Sequence, residues 1–414
     1  MRIARHRRAH ERRRGHAGLP ALIGGALVAA TLTAALLALW FGSFEGFLAG
    51  IDHTGRPFVD FVERFRPAGA AVLETAPPVP GYYYPPTFAL AMAPFAAIPE
   101  RVALWLWGGI VLAAQFGLVV VPGIVLAQRS RRLFAVHVAL CCVAVPLLHD
   151  FKWGQVSALL TLGVWAGMLL RDSGRLVLPS LLLAVCVATK PYFAVVLVTA
   201  CLRRDWQLIG TTLAATLLFA IGIPFTALGI DDTLAYYNDI ARQVAELRPL
   251  LGNDANSQFF AHVLGRWNLA TPAWPGLLVC AANVWLIRRI LRQQGWIATL
   301  EATSLALLSL PFFVPTSWPH YFVFLPAAQA LAVARLTAQH RLTACCVGAS
   351  IALASTPLQQ ALGHHLHGTA GAFLMADLAL LAAYWSLHHA SRVPSPPRNS
   401  PDATSSRVKS QAAT

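Results

Sequence analysis

The chain has 414 residues, of which 57% are hydrophobic and only 12% are charged. A water-soluble domain carries about 25% charged residues, so this composition excludes an ordinary soluble enzyme. The net charge of +14 does not point to a nucleic-acid partner, because seven arginines are concentrated between residues 2 and 14, directly before the first apolar run. This arrangement is typical of the cytoplasmic, lipid-facing anchor of a membrane protein.

Apolar runs follow one another along the chain, and several reach the roughly 20 residues that a helix needs to cross a bilayer. Because lipid cannot pair with backbone polar groups, these runs predict α-helices. The expected fold is therefore an all-α polytopic bundle with about twelve crossings. The predicted crossings are residues 20–42, 102–128, 133–149, 154–170, 176–189, 191–202, 206–228, 271–287, 296–314, 318–334, 342–358 and 370–387.

The distribution of Lys and Arg predicts the orientation of the bundle. Most of these residues fall in segments that alternate crossings leave on one side, and the positive-inside rule assigns that side to the cytoplasm. We expect a basic cytoplasmic tail at 1–19, a membrane domain at 20–389 and a disordered cytoplasmic tail at 390–414, rich in Ser, Pro and Arg. The predicted location is the plasma or inner membrane, with both termini inside.

Residues 176–202 decide how the following crossings are oriented. A single helix here would bury Lys190 near its centre, at a cost of about 2.5–3.5 kcal/mol. Pro191 also prevents simple continuation of a helix. We therefore predict two short helices that meet at Lys190 and Pro191, at the outer end of the pair.

Two long exterior loops are predicted, at 42–101 and 229–270. The first contains apolar residues at helical spacing, which predict a short amphipathic helix lying on the membrane. These residues are Phe58, Phe61, Val62 and Phe65. The same helix carries Asp60, which is either a general base held at the lipid–water boundary or a solvated acid on the polar face. Residues 84–99 are apolar but bounded by prolines, and they predict a re-entrant or juxtamembrane helix.

Four polar and aromatic segments lie at the outer ends of the predicted crossings. They are residues 82–86 (YYYPP), 152–155 (KWGQ), 253–258 (NDANSQ) and 316–321 (TSWPHY). Trp and Tyr at these positions indicate either an ordinary aromatic belt or the walls of a shared exterior cavity. The chain has no phosphate-binding glycine loop, which favours a donor other than a nucleotide sugar.

Taken in order, these segments resemble glycosyltransferase family 87, the polyprenyl-phosphate-mannose-dependent α-mannosyltransferases of the GT-C superfamily. The resemblance covers about residues 50–335. Its motifs are Asp60-Phe61, Tyr84-Pro85-Pro86 through Pro94, Gly154-Gln155, Lys190-Pro191 before Arg203-Arg204, Asn256-Ser257-Gln258 and Ser317-Trp318-Pro319-His320. The chain departs from the family at Asn256-Ser257-Gln258, where Asn-Gln-Ser is usual, and at Ser157, where Asn is common.

The resemblance implies a GT-C fold and a membrane hexosyltransferase. Such an enzyme moves a sugar, mannose in the family, from polyprenyl phosphate to a hydroxyl of a lipid or glycan on the exterior face, with inversion. By this resemblance Asp60 is the catalytic base, and Lys190 binds the donor phosphate, with Lys152 and His320 as second choices. The implied substrate cavity contains Tyr84, Gln155, Asn256, Ser257 and Trp318. The reaction requires no metal and no other cofactor.

The alternative is a polytopic transporter or a flippase for lipids or lipid-linked glycans. Transporters place ionisable groups and broken helices near the middle of the membrane. Here most ionisable groups map to the membrane boundaries, and Asp377 is the clear intramembrane acid. This distribution favours the enzyme.

Overall fold

The computed structural model describes Gly46 and residues 56–269, 274–337 and 340–390. The predicted tails and the predicted first crossing at 20–42 lie outside these ranges. The described residues form helices and connecting loops. The first helices in chain order are α1 (a π-helical turn, Phe61–Phe65, continued by Arg66–Leu73), α2 (Pro86–Ala96), α3 (Glu100–Ala127), α4 (Arg131–Val143), α5 (Val145–Trp153) and α6 (Ser157–Asp172). They are followed by α7 (Val177–Thr189), α8 (a 3-10 turn, Pro191–Val196, continued by Leu197–Leu202), α9 (Trp206–Leu217, a π-helical turn Leu218–Gly222, and Ile223–Leu228), α10 (Ile230–Leu247), α11 (Phe260–Arg266) and α12 (Trp274–Ile290). The last are α13 (Trp296–Leu307, followed by the 3-10 turn Leu310–Phe312), α14 (Leu325–Val333, preceded by the 3-10 turn Pro319–Phe322), α15 (Arg341–Leu353), α16 (Thr356–Leu362), α17 (His364–Thr369) and α18 (Ala372–Ala390).

Helices α13 and α14 form the centre of the bundle. Every residue from Ala298 to Leu307 is buried, as is every residue from Leu325 to Ala332. A helix that is apolar on all sides is expected to lie in the interior. By contrast, α9 exposes large apolar side chains such as Leu213 and Leu217, which are suited to contact with lipid.

Two helices of the described chain are long and apolar enough to cross a membrane, α3 and the helix from Trp206 to Leu228. A third crossing is present if α5 and α6, which meet at an angle of 118°, form one broken span. The all-helical fold is therefore confirmed, whereas the count of about twelve crossings stays a prediction.

Several predicted crossings are interrupted. The predicted helix at 133–149 is wrong as a continuous element, because Ala144 is extended (ψ 114°) and separates α4 from α5. The backbone N–H of Val145 donates instead to the carbonyl of Ala354, 3.0 Å away. By contrast, the predicted break at Lys190 is present, since α7 ends at Thr189 and Lys190 is extended (φ −136°, ψ 98°).

The helix predicted between residues 42 and 101 is present as α1, but its aromatic face packs against protein. Phe61 is fully buried and stacks on Trp107, with ring centroids 5.2 Å apart. Phe65 meets Tyr84 edge to face at 5.1 Å. The expectation that this aromatic face lies on the membrane is therefore wrong. Its burial fixes the position of Asp60, which lies at the beginning of the π-helical turn.

Candidate active site

Asp60 is almost completely buried, with 4% of its surface exposed, and both carboxylate oxygens accept hydrogen bonds. The Arg64 guanidinium donates to Oδ1, with Nη1 2.5 Å away, and the Gln155 amide donates to Oδ2. Burial raises the pKa of the Asp60 carboxyl above its ordinary value, although Arg64 and Gln155 oppose the rise. A carboxylate with a raised pKa is a better proton acceptor than a solvated one.

The backbone before Asp60 is held in an unusual conformation. Phe58 has φ +56°, in the left-handed region that bulky residues rarely adopt. Its N–H donates to the carbonyl of Lys152 at 2.5 Å, and its ring packs edge to face on Phe151. The contacts with α5 therefore determine the conformation from which α1 begins.

Gln155 owes its position to the sharp turn between α5 and α6. Gly154 ends α5 with φ +65°, and a Cβ there would lie 2.8 Å from the Phe58 ring, so only glycine fits. The Gln155 side-chain oxygen accepts from the Tyr84 hydroxyl at 2.9 Å and from Lys190 Nζ at 3.4 Å. Because the oxygen faces two donors, the amide nitrogen is directed toward Asp60.

Lys190 lies behind Gln155 in an aromatic pocket. Its ammonium donates to Ser157 Oγ at 3.1 Å. It also lies 5.3, 6.0 and 4.6 Å from the ring centroids of Tyr84, Tyr192 and Tyr321, within the range of cation–π attraction. Lys190 therefore contacts Asp60 indirectly, through Gln155.

A cavity of about 170 Å³ opens beside Asp60, and we call it the Asp60 cavity. Its lining comes from four separate parts of the sequence. The lining residues are Asp60 and Arg64, His149 and Trp153, Asp254 and Asn256, and Trp318 and His320. The cavity therefore contains one buried carboxylate, one guanidinium and several aromatic rings.

The segment between α10 and α11 closes one side of this cavity. Asp254 accepts from the Trp318 indole N–H at 3.1 Å and from the backbone N–H of Asn256 at 2.9 Å. Arg266 donates to the carbonyls of Asp254 and Ser257, at 3.0 and 2.7 Å. The loop is thereby fixed to the segment that carries Trp318 and His320.

His149 and His320 stack face to face on the cavity wall, with ring centroids 5.5 Å apart. Among the described residues, neither ring has a hydrogen-bond partner on either nitrogen. The same is true of the Trp153 indole N–H and the Asn256 side-chain oxygen. Buried polar atoms are rarely left unpaired, so this set of atoms is suited to bind a polar ligand.

The residues named by the family resemblance occupy three kinds of position. Asp60, Asn256, Trp318 and His320 line the cavity, whereas Tyr84, Gln155 and Lys190 form the layer directly behind Asp60. Ser257 is buried within the segment between α10 and α11, where its hydroxyl pairs with His262 at 2.8 Å. The Lys152 side chain is fully buried and does not belong to the cavity lining.

Two lining residues were not predicted from the sequence. Arg64 lies four residues after Asp60, and this spacing on a helix is a signal for an ion pair. His149 lies at the end of an apolar run that breaks at Ala144, and it lines the cavity from the separate helix α5.

A helical, largely apolar chain with one buried carboxylate on the wall of a polar cavity is the arrangement expected of a membrane-embedded sugar transferase. The model of glycosyltransferase family 87 matches residues 82–316, more than half of the chain. The chain therefore belongs to glycosyltransferase family 87. The matched range begins after Asp60.

Two curated relatives come from Mycolicibacterium smegmatis. One is named a polyprenol-phosphate-mannose-dependent α-(1-2)-phosphatidylinositol mannoside mannosyltransferase, and the chain is 30% identical to it over 274 residues. The other is named for a phosphatidylinositol pentamannoside and is 26% identical over 256 residues. The alignments cover 59% and 60% of this chain, and the chain spans 60% of the length of each relative. No solved structure gives a significant match.

Proposed function

We propose that the chain transfers a mannosyl group from a polyprenyl-phosphate donor to a hydroxyl of a lipid or glycan acceptor at the exterior face of the membrane. Family membership and the names of both relatives support this donor. The single observation that carries the proposal is the geometry of Asp60. Its carboxylate is buried from bulk solvent, and both of its oxygens accept hydrogen bonds that fix its orientation. The same carboxylate lines a cavity of polar and aromatic groups.

The proposed reaction is a single displacement. Asp60 accepts the proton of the acceptor hydroxyl while that oxygen attacks the anomeric carbon of the donor. The bond from the anomeric carbon to the phosphate oxygen breaks, and polyprenyl phosphate leaves with the electron pair. The configuration inverts, so a β-linked donor gives an α-linked product.

The departing phosphate needs hydrogen-bond donors and positive charge. Arg64 and His320 line the Asp60 cavity, and we assign this contact to them. Lys190 was the first choice from the sequence, but its position behind Gln155 supports a different role. In our proposal it holds the Gln155 amide in the orientation that positions Asp60.

One observation favours the alternative of a transporter. Asp377 is fully buried in α18, and neither carboxylate oxygen has a hydrogen-bond partner among the described residues. Glu301, another buried acid of the bundle, is paired with Arg335, whose Nε lies 2.6 Å away. Intramembrane acids of this kind are typical of ion and proton pathways.

A comparison of donors tests the proposed function. The purified chain in lipid nanodiscs is incubated with an alkyl mannoside acceptor and with either polyprenyl-phosphate mannose or GDP-mannose, each radiolabelled. We expect transfer only from the lipid-linked donor. Transfer only from GDP-mannose would contradict the proposal. The transporter would be favoured if neither donor gave transfer and sealed vesicles containing the chain took up either compound.

A further inference from the structure

A second and larger cavity lies beside the Asp60 cavity, between the first exterior loop and α10. It has a volume of about 560 Å³, and we call it the Tyr83 groove. One wall is the loop segment 77–83, and the other is the segment 239–250 at the end of α10. Its volume falls within the range of about 300–1,000 Å³ that is usual for small-ligand sites.

The side chain of Gln243 fixes the two walls to each other. Its oxygen accepts from the backbone N–H of Gly81 at 2.9 Å, and its nitrogen donates to the carbonyl of Pro78 at 3.2 Å. The loop contains prolines at 77, 78 and 80, which restrict its backbone further. The groove is thus formed before any ligand binds, which lowers the entropy cost of binding.

Arg64 separates the Tyr83 groove from the Asp60 cavity. A Cβ on Gly81 would lie 3.0 Å from Arg64 Nε, so the guanidinium packs directly on the loop wall. The other side of this guanidinium binds Asp60. Tyr83 lines the groove, and burial raises the pKa of its hydroxyl while the charge of Arg64 opposes the rise.

The groove carries polar groups that match a sugar better than a phosphate. Asp239 and Glu246 are carboxylates, and Arg242 is paired with Asp239 at 2.7 Å. The charge of this set is negative, so an anionic headgroup would be repelled, whereas carboxylates accept hydrogen bonds from hydroxyls. The half-buried ring of Tyr83 supplies an apolar face beside them.

We infer that the Tyr83 groove binds the glycan part of the acceptor, beyond the sugar that receives the new linkage. This inference rests on the proposed function, because it needs Asp60 to mark the reacting end. The acceptor extends from its attacking hydroxyl at Asp60, past Arg64, into the groove. An acceptor with several sugars would then bind more tightly than one with a single sugar.

The test compares two double variants of the full chain in nanodiscs. Asp239→Asn with Glu246→Gln removes both groove carboxylates, and Asp232→Asn with Glu74→Gln removes two exposed carboxylates that do not line the groove. The first readout is the KM of an alkyl mannotrioside and of an alkyl monomannoside as acceptors. We expect the groove variant to raise the KM of the mannotrioside about tenfold, the effect of losing one hydrogen bond to a charged group. Its monomannoside KM and donor KM should match those of the control variant.

A second readout does not depend on transfer. Saturation-transfer-difference NMR measures binding of free α-mannotriose, and we expect the signal to persist in the control variant and to be lost in the groove variant. Equal mannotriose signals in both variants, or a trimannoside KM that does not change, would overturn the inference. A mannotriose signal that persists in the control variant and is lost in the groove variant, without sugar transfer by the wild-type chain, would instead contradict the proposed function. That result would leave the groove assignment supported.

Discussion

Two walls of the Asp60 cavity differ in how their polar atoms are paired. On the base wall, formed by Asp60 and Arg64 with Gln155 behind them, both carboxylate oxygens and both amide atoms have partners. On the ligand wall, formed by His149, Trp153, Asn256 and His320, polar atoms have no partner among the described residues.

The difference separates two tasks. In the proposed mechanism Asp60 is the base and must be held in one orientation before the substrate arrives, and the hydrogen bonds of the base wall hold it. Groups that bind substrate must have free donors and acceptors, and the ligand wall has them. Changes to Asp60 and Gln155 should therefore alter catalysis and stability, whereas changes to the ligand wall should alter binding.

The largest effect is expected for Asp60→Asn. The amide keeps the size of the side chain but cannot accept the hydroxyl proton, and a positioned base contributes about 10²–10⁴-fold to a rate. We expect the rate of transfer from polyprenyl-phosphate mannose to fall by this factor, with donor binding unchanged. Glu63→Gln is the matched control, because Glu63 is exposed and pairs with Arg56. An Asp60→Asn enzyme that keeps more than about a third of the wild-type rate would show that Asp60 is not the base.

Lys190→Met should have the next largest effect, through Gln155. Without the ammonium, the Gln155 amide loses one of the two donors that orient it, and small misplacement of a catalytic group costs up to about 100-fold. We expect kcat to fall by about 10- to 100-fold, with the donor KM nearly constant.

The split between kcat and KM distinguishes this positioning role from the earlier hypothesis of phosphate binding. Lys190→Arg should restore part of kcat, because it keeps the charge with a different geometry. A rise in donor KM with normal kcat would favour direct contact between Lys190 and the phosphate.

The two walls should also respond differently in a stability measurement without substrate. Gln155→Leu leaves a buried Asp60 oxygen without its partner, which costs about 1–3 kcal/mol of unfolding free energy. His320→Phe removes ring nitrogens that already lack partners, so it should leave the melting temperature unchanged or raise it. Differential scanning fluorimetry in nanodiscs measures both melting temperatures. A larger fall in melting temperature for His320→Phe than for Gln155→Leu would contradict the division into two walls.

The family resemblance names Asp60, Tyr84, Gln155 and Lys190 as candidates, but it does not predict the hydrogen bonds that join them. Those bonds depend on the 118° angle between α5 and α6 and on contacts between residues far apart in the chain. The break at Ala144 that brings His149 to the cavity involves a backbone hydrogen bond to Ala354. No local sequence pattern predicts a hydrogen-bond partner so far away along the chain.

The spacing of Phe61 and Phe65 shows the limit of periodicity. Their spacing predicts one apolar helix face, and the structure has that face. Periodicity cannot distinguish burial in protein from burial in lipid, because both environments favour apolar side chains. The Tyr83 groove is similar in origin, since α10 was predicted only as part of a long loop.

The smallest effects are expected in the dependence of the rate on pH. In the proposed mechanism Asp60 acts as a base only when it is ionised, so activity should be present above its pKa and lost as the pH falls through it. Because burial raises that pKa, the loss of activity should begin at a higher pH than for an exposed aspartate.

The positive charge of Lys190 lowers the pKa of Asp60, and the negative charge of Glu63 raises it. In pH profiles of kcat/KM, the acidic limb should therefore move to higher pH in Lys190→Met and slightly to lower pH in Glu63→Gln. Glu63→Gln should keep the wild-type rate on the plateau. Identical limbs in all three proteins would mean that the group titrating in the profile is not Asp60.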